Sequence, residues 1–190
     1  MWGTTMRSLI RRLAAAFALL AVAVPARAEV QKFMQQCDGK LCPFFRALIT
    51  PPDGWIEDKE ATDYFKAVML LPKGQDFEKA SAKIYAVARY NPKKQPIADF
   101  LPDSIKDWKS RAKDAKIEKL AELPREGKPA FVRHKFEARR LKEQGYELQA
   151  VTSDTDKDGN SYVITITLSA NTAVSFKAAE AAYQAILDKY

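Results

Sequence analysis

Tyr162 to Ser169 is the segment that most constrains the fold. Tyr162, Ile164, Ile166 and Leu168 alternate with Val163, Thr165, Thr167 and Ser169, the period of a strand with two distinct faces. Tyr146 to Ser153 precedes it across the turn-rich stretch Asp154 to Asn160. Two such runs joined by turn chemistry read as an antiparallel hairpin, which puts an antiparallel sheet at the centre of the molecule.

The other segments are read around that hairpin. Glu29 to Leu41 is a short lead-in. Phe44 to Ile49 is a first strand, broken by Thr50-Pro51-Pro52-Asp53-Gly54. Tyr64 to Leu71 is nearly continuously apolar and reads as a buried strand. Lys83 to Tyr90 is another, with Ile84, Ala86 and Ala88 opposite Tyr85, Val87 and Arg89. Leu101, Ile105, Trp108 and Ala112 repeat at helical spacing, which predicts a helix from an N-cap at Asp99 to about Lys113. Pro102 falls in its first turn, where a missing N–H costs nothing. Lys116 to Leu123 and Ala130 to Arg139 are strands separated by Pro124 to Gly127. Phe176, Ala179, Tyr183, Ile186 and Leu187 form one face of a last helix, Ser175 to Lys189, capped by Ser175. Strands and helices do not alternate as βαβ units. The expected fold is α+β, an α/β/α sandwich with a central antiparallel sheet, in a single domain spanning residues 29–190.

The N-terminal residues carry an address. Arg7, Arg11 and Arg12 precede an uncharged run from Leu13 to Val24, followed by Pro25-Ala26-Arg27-Ala28. This is the form of a secretory signal peptide, residues 1–28, cleaved after Ala28. The run is too short for a comfortable membrane anchor, so no stable anchor is expected after cleavage. The leader contributes four of the charges behind the formal net charge of +7. Its removal takes away the main compositional case for nucleic-acid binding. The expected location is the periplasm of a Gram-negative-type cell. Cys37 and Cys42 are an even count in an exported chain, which favours a disulfide, and Asp38-Gly39 between them is turn chemistry. The spacing is C-x4-C and not the C-x-x-C of redox pairs.

Motifs for chemistry are sparse. Asp154, Asp156 and Asp158 with Gly159 resemble the start of a calcium loop, but Thr165 stands where the bidentate Glu belongs. The readings are a weak calcium loop or a plain hairpin turn. His134 is the only histidine. It shares a strand face with Val132, Phe136 and Ala138, as a partly buried core residue or as the centre of a scattered active site. Arg133, Lys135 and Arg139 form a basic stretch, a docking patch for an anionic partner or a solvated strand face. Trp55, Tyr64, Tyr85, Tyr90, Tyr146 and Tyr162 are aromatic residues that would line a pocket if they converged. No nucleophile elbow, zinc motif or phosphate-binding glycine loop is present, and no cofactor is expected.

The early Pro52-Asp53-Gly54-Trp55 turn is followed by a strand ending in Leu71-Pro72. Next come the strand Lys83 to Asn91, the helix around Trp108, and the Tyr162 hairpin leading to the Phe176–Tyr190 helix. This order resembles the PsbP/DcrB-like family of α/β/α sandwiches. The resemblance implies a binding or assembly module and not an enzyme; with the export signal and the sparse motifs, the expectation is a periplasmic accessory protein that binds a protein partner or a small ligand in the cell envelope. The resemblance transfers no functional residue. The alternative expectation is a periplasmic enzyme using scattered residues around His134.

Overall fold

The computed structural model describes residues 30–141 and 143–190; the leader of residues 1–28 lies outside them. The first described element is a hairpin where a lead-in was expected. Strands β1 (Val30–Cys37) and β2 (Lys40–Ala47) pair antiparallel, from Val30 opposite Ala47 to Cys37 opposite Lys40. Asp38 and Gly39 both take positive φ, 47° and 74°, as a two-residue turn matched to strand twist requires. Phe33 stacks on its cross-strand partner Phe44 at 5.8 Å. The Cys37–Cys42 disulfide, with Cα atoms 5.9 Å apart, closes the tip. The pair therefore fastens a hairpin, not a loose terminal segment.

Eight further strands build one sheet. They are β3 (Trp55–Glu57), β4 (Val68–Pro72), β5 (Ala82–Tyr90), β6 (Lys116–Lys119), β7 (Leu123–Arg125), β8 (Lys128–Glu137), β9 (Tyr146–Thr155) and β10 (Ser161–Ala170). Their spatial order is β3-β4-β5-β10-β9-β8-β6, with β7 also paired to β8. Every pairing is antiparallel. The alternating segment is the centre: Ile164 of β10 lies between Ala88 of β5 and Thr152 of β9. The run Lys116 to Leu123, read as one strand, divides into β6 and β7 with Leu120 to Glu122 between them. Gly145, before β9, has no room for a side chain. A Cβ there would meet the carbonyl oxygens of Ala138 and Leu141 at 2.9 Å.

Helices cover both faces. The apolar stripe of α3 (Ala173–Lys189) buries Phe176, Ala179, Tyr183, Ile186 and Leu187. It packs on Ile84, Ile164, Ile166 and Leu168. Each fully buried Ile or Leu contributes about 1.5–3 kcal/mol, so this layer is the main core. The Tyr183 hydroxyl donates to the Ile166 carbonyl at 2.8 Å, satisfying its buried polar atom. The cap of α3 is Thr172, not Ser175. Thr172 accepts from the Ser175 amide, and Ser175 at the third helical position returns a bond to the Thr172 amide, a reciprocal capping box.

The opposite face carries two short helices. Helix α1 (Lys59–Phe65) lies over Met69 and Leu71. Helix α2 (Leu101–Arg111) lies over Phe136. A 3-10 turn at Ile97–Asp99 precedes α2, so the cap is Phe100 and Asp99 falls inside that turn. Helix α1 overturns the reading of Tyr64 to Leu71 as one strand. Asp58 caps the helix by accepting from the Ala61 amide at 3.0 Å. Lys66 takes φ 59° and ends it. Only Val68 onwards is extended. Tertiary packing of Ala61 and Thr62 outweighs the strand-like apolar run.

Candidate functional site

A cleft of about 460 Å³ opens between α1 and the turn that follows β4. Local chemistry sets each wall. In α1, Ala61 and Thr62 turn inward. Ala61 packs with Met69, Leu71 and Ala80, and the Thr62 hydroxyl accepts from the Met69 amide at 2.9 Å. With that face fixed, Glu60, Tyr64 and Phe65 are left on the outside. Tyr64 is 77% exposed and Phe65 is 48% exposed. Asp76 caps the opposite turn by accepting from the Lys79 amide at 2.9 Å. Its side-chain bond from Lys79 and the accompanying backbone bond hold its carboxyl below the ordinary value. That turn projects Phe77 and Glu78 toward α1.

Three aromatic rings meet at the cleft. Tyr64 and Phe65 are edge-on at 4.9 Å, and Phe65 and Phe77 are 5.1 Å apart. The carboxylates of Asp58, Glu60, Asp76 and Glu78 surround them. Asp58 is used as a cap and Asp76 pairs with Lys79. Glu60 and Glu78 have no ion-pair partner among the described residues. The ammonium of Lys83 sits 4.0 Å over the Phe77 ring, and burial lowers its pKa against the opposing influence of Glu143. The cleft presents apolar ring surface and negative charge at its rim.

The residues singled out in the sequence are dispersed. Asp154 pairs with Arg125 at 3.1 Å and Lys128 at 3.6 Å. Asp156 instead organises the β9–β10 turn, accepting from the Asn160 side chain, the Asp158 amide and the Tyr162 hydroxyl. Among the described residues no three His, Cys, Asp or Glu side chains gather closely enough to hold a metal. The basic stretch is also divided. Arg133 donates to the Ala121 carbonyl, Lys135 lies 5.5 Å from the Phe176 ring, and Arg139 pairs with Glu137. Of the aromatic residues, Tyr90 and Tyr162 cluster with Phe45, Tyr146 lies beside Phe176, and only Tyr64 reaches the cleft.

His134 is buried, 7% exposed, with its ring 6.3 Å from that of Phe136. Desolvation first and the Lys119 charge second lower its pKa, favouring the neutral ring. It lies opposite Gln149 of β9. The nearby Glu147 carboxylate accepts from the Trp108 indole and the Gln149 side chain, both at 3.1 Å. Neither bond involves His134. This is a polar seam that ties α2 to the sheet.

Glu147 gives a pH test of that seam. Burial raises its pKa, opposed by the bonds from Gln149 and Trp108. A raised folded pKa means a contribution fully present below the unfolded pKa and lost as pH rises through the folded value. Glu147→Gln keeps an acceptor for Trp108 and removes the charge. Above pH 7 the variant is expected to melt roughly 2–4 °C higher than the parent, equivalent to about 1 kcal/mol. The gap should close toward pH 4. Thermal melts across that range check it, and a gap that widens in acid contradicts it.

The sequence conceals the cleft because Tyr64 and Phe65 read as the start of a strand. Asp58 followed by Lys59-Glu60-Ala61 was the available signal, a cap residue ahead of helix formers. No protein-family model matches the chain, and no curated protein matches it.

Proposed function

We propose that this protein is an exported, non-catalytic binding protein of the cell envelope, and that the α1 cleft seats its partner. The observation that carries the reading is the cleft's exposed aromatic wall. Tyr64 and Phe65 stand on a helix whose inner face is already packed, so their exposure serves no core. Large exposed aromatic side chains beside a concavity are the usual anchors of recognition. The basic leader with its small-residue exit supports export, as does the cysteine pair at bonding distance. Among the described residues no helix is long and apolar enough to cross a membrane. The antiparallel sheet with helices on both faces supports placing the chain beside the PsbP/DcrB-like accessory proteins.

The test is crosslinking in the source cell followed by capture, run in parallel on the parent and on Tyr64→Ala/Phe65→Ala. An envelope protein captured by the parent and lost from the variant supports the reading. Identical capture by both removes the cleft from it. A turnover activity that depends on His134 would replace it with an enzyme.

A further inference from the structure

We infer that the α1 cleft recognises a basic side chain, lysine or arginine, on an extended segment of a protein partner. This deepens the preceding proposal and rests on the cleft being the binding site. Three features converge on a cation. The ring faces of Tyr64, Phe65 and Phe77 carry the negative quadrupole that attracts ammonium and guanidinium groups. Glu60 and Glu78, on opposite walls, bring negative charge with no ion-pair partner among the described residues. Lys83 places an ammonium 4.0 Å over the Phe77 ring, the same chemistry within the protein, and leaves Tyr64 and Phe65 as the rings open to a partner.

The arrangement also selects among cations. The carboxylates are dispersed around the rings and do not form a group able to hold a metal ion. Aromatic surface suits a cation with an apolar stem, and lysine and arginine carry theirs along the ring as the head reaches the rim. With Tyr64 mostly exposed, the cleft would leave much of a small free molecule in water, whereas small-molecule sites enclose most of their ligand. The neighbouring strand β3 is the outermost of its sheet, and Ile56 on it is exposed. An extended segment has a surface there on which to continue. Without the leader's four arginines the formal net charge falls from +7 to about +3, which still opposes basic partners weakly at long range. Attraction must therefore be local to this rim, and it becomes a means of discrimination.

The experiment is a titration of the purified protein with a fluorescein-labelled, end-blocked Gly-Lys-Gly-Lys-Gly peptide, read by anisotropy. The same peptide with glutamate in place of lysine is the control. Saturable binding at least tenfold tighter for the lysine peptide is expected. Tyr64→Ala/Phe65→Ala and Glu60→Gln/Glu78→Gln should each weaken it at least fivefold. The second variant alters only exposed carboxylates, so it keeps the test valid if the first disturbs folding. Absent binding, or binding indifferent to both variants, overturns the inference. Tighter binding of free spermidine than of the peptide overturns the choice of a protein segment. If crosslinked capture depends on Tyr64 yet the lysine peptide neither binds nor competes, the cation chemistry fails and the binding site stands. If capture ignores Tyr64, the site itself fails.

Discussion

Replacing Arg125 by Met is expected to cost about 3 kcal/mol of stability, a fall in melting temperature of roughly 10 °C for a domain of this size. Arg125 ends β7, and its side chain is 5% exposed against 9% for Asp154. One guanidinium nitrogen donates to the Asp154 carboxylate and to the main-chain oxygen of Tyr190, both at 3.1 Å. The other reaches the Thr152 hydroxyl at 3.0 Å. The guanidinium also lies 4.8 Å from the Phe131 ring. This one side chain joins β7, β8, β9 and the end of α3. Removing one member of a buried pair leaves the other charge dehydrated, which costs about 3–5 kcal/mol. Lys128 stays 3.6 Å from Asp154 and softens the loss, so the lower end of that range applies. Arg125→Met with Asp154→Leu removes both charges and should recover part of the loss. Denaturant titration of the four proteins of that cycle decides the matter. A single variant within 1 kcal/mol of the parent would show that the pair contributes little.

The elements legible in the sequence are those whose residues report their own environment. β10 is buried on both faces near its middle yet keeps its alternation, so its period was plain. The stripe of α3 lists the same five residues that the structure buries. β1 was missed because Phe33 and Met34 stand alone among glutamines and a lysine, without the alternation of a half-buried strand. Its order comes from β2 and the disulfide, which are partners outside the segment. α1 was missed for the opposite reason. Tyr64 and Phe65 extend the apolar run of β4, and only the φ of Lys66 separates them.

The candidate site was less legible than the fold. Glu60 and Glu78 come from separate segments and meet only across a folded cleft. No spacing rule connects them. The acidic run from Asp154 was conspicuous because its members are adjacent, yet Asp154 and Asp156 serve different partners. Local density of charge marks a turn there, whereas binding features here arise from juxtaposition.

Trp108→Ala should be the most damaging change on the α1–α2 face, at about 3–5 kcal/mol. That is a large part of the 5–15 kcal/mol typical of a whole domain. Trp108 is 1% exposed and stacks on Phe136 at 5.3 Å. Its indole also donates to the buried Glu147 carboxylate. Helix α2 has only 11 residues, too short to hold in water without tertiary contacts. The indole is its main anchor, so the loss should be local before it is global. Hydrogen exchange in Trp108→Ala should show α2 amides losing protection, with β10 and α3 still protected relative to the new global limit. Trp108→Phe separates the two roles. It keeps most of the stacking and removes the donor, which should cost about 1–3 kcal/mol. Adding Glu147→Gln to Trp108→Phe should return part of that cost, because the acceptor left with one donor is no longer charged. If the second change returns nothing, the indole acts by packing alone and the hydrogen bond to Glu147 is incidental.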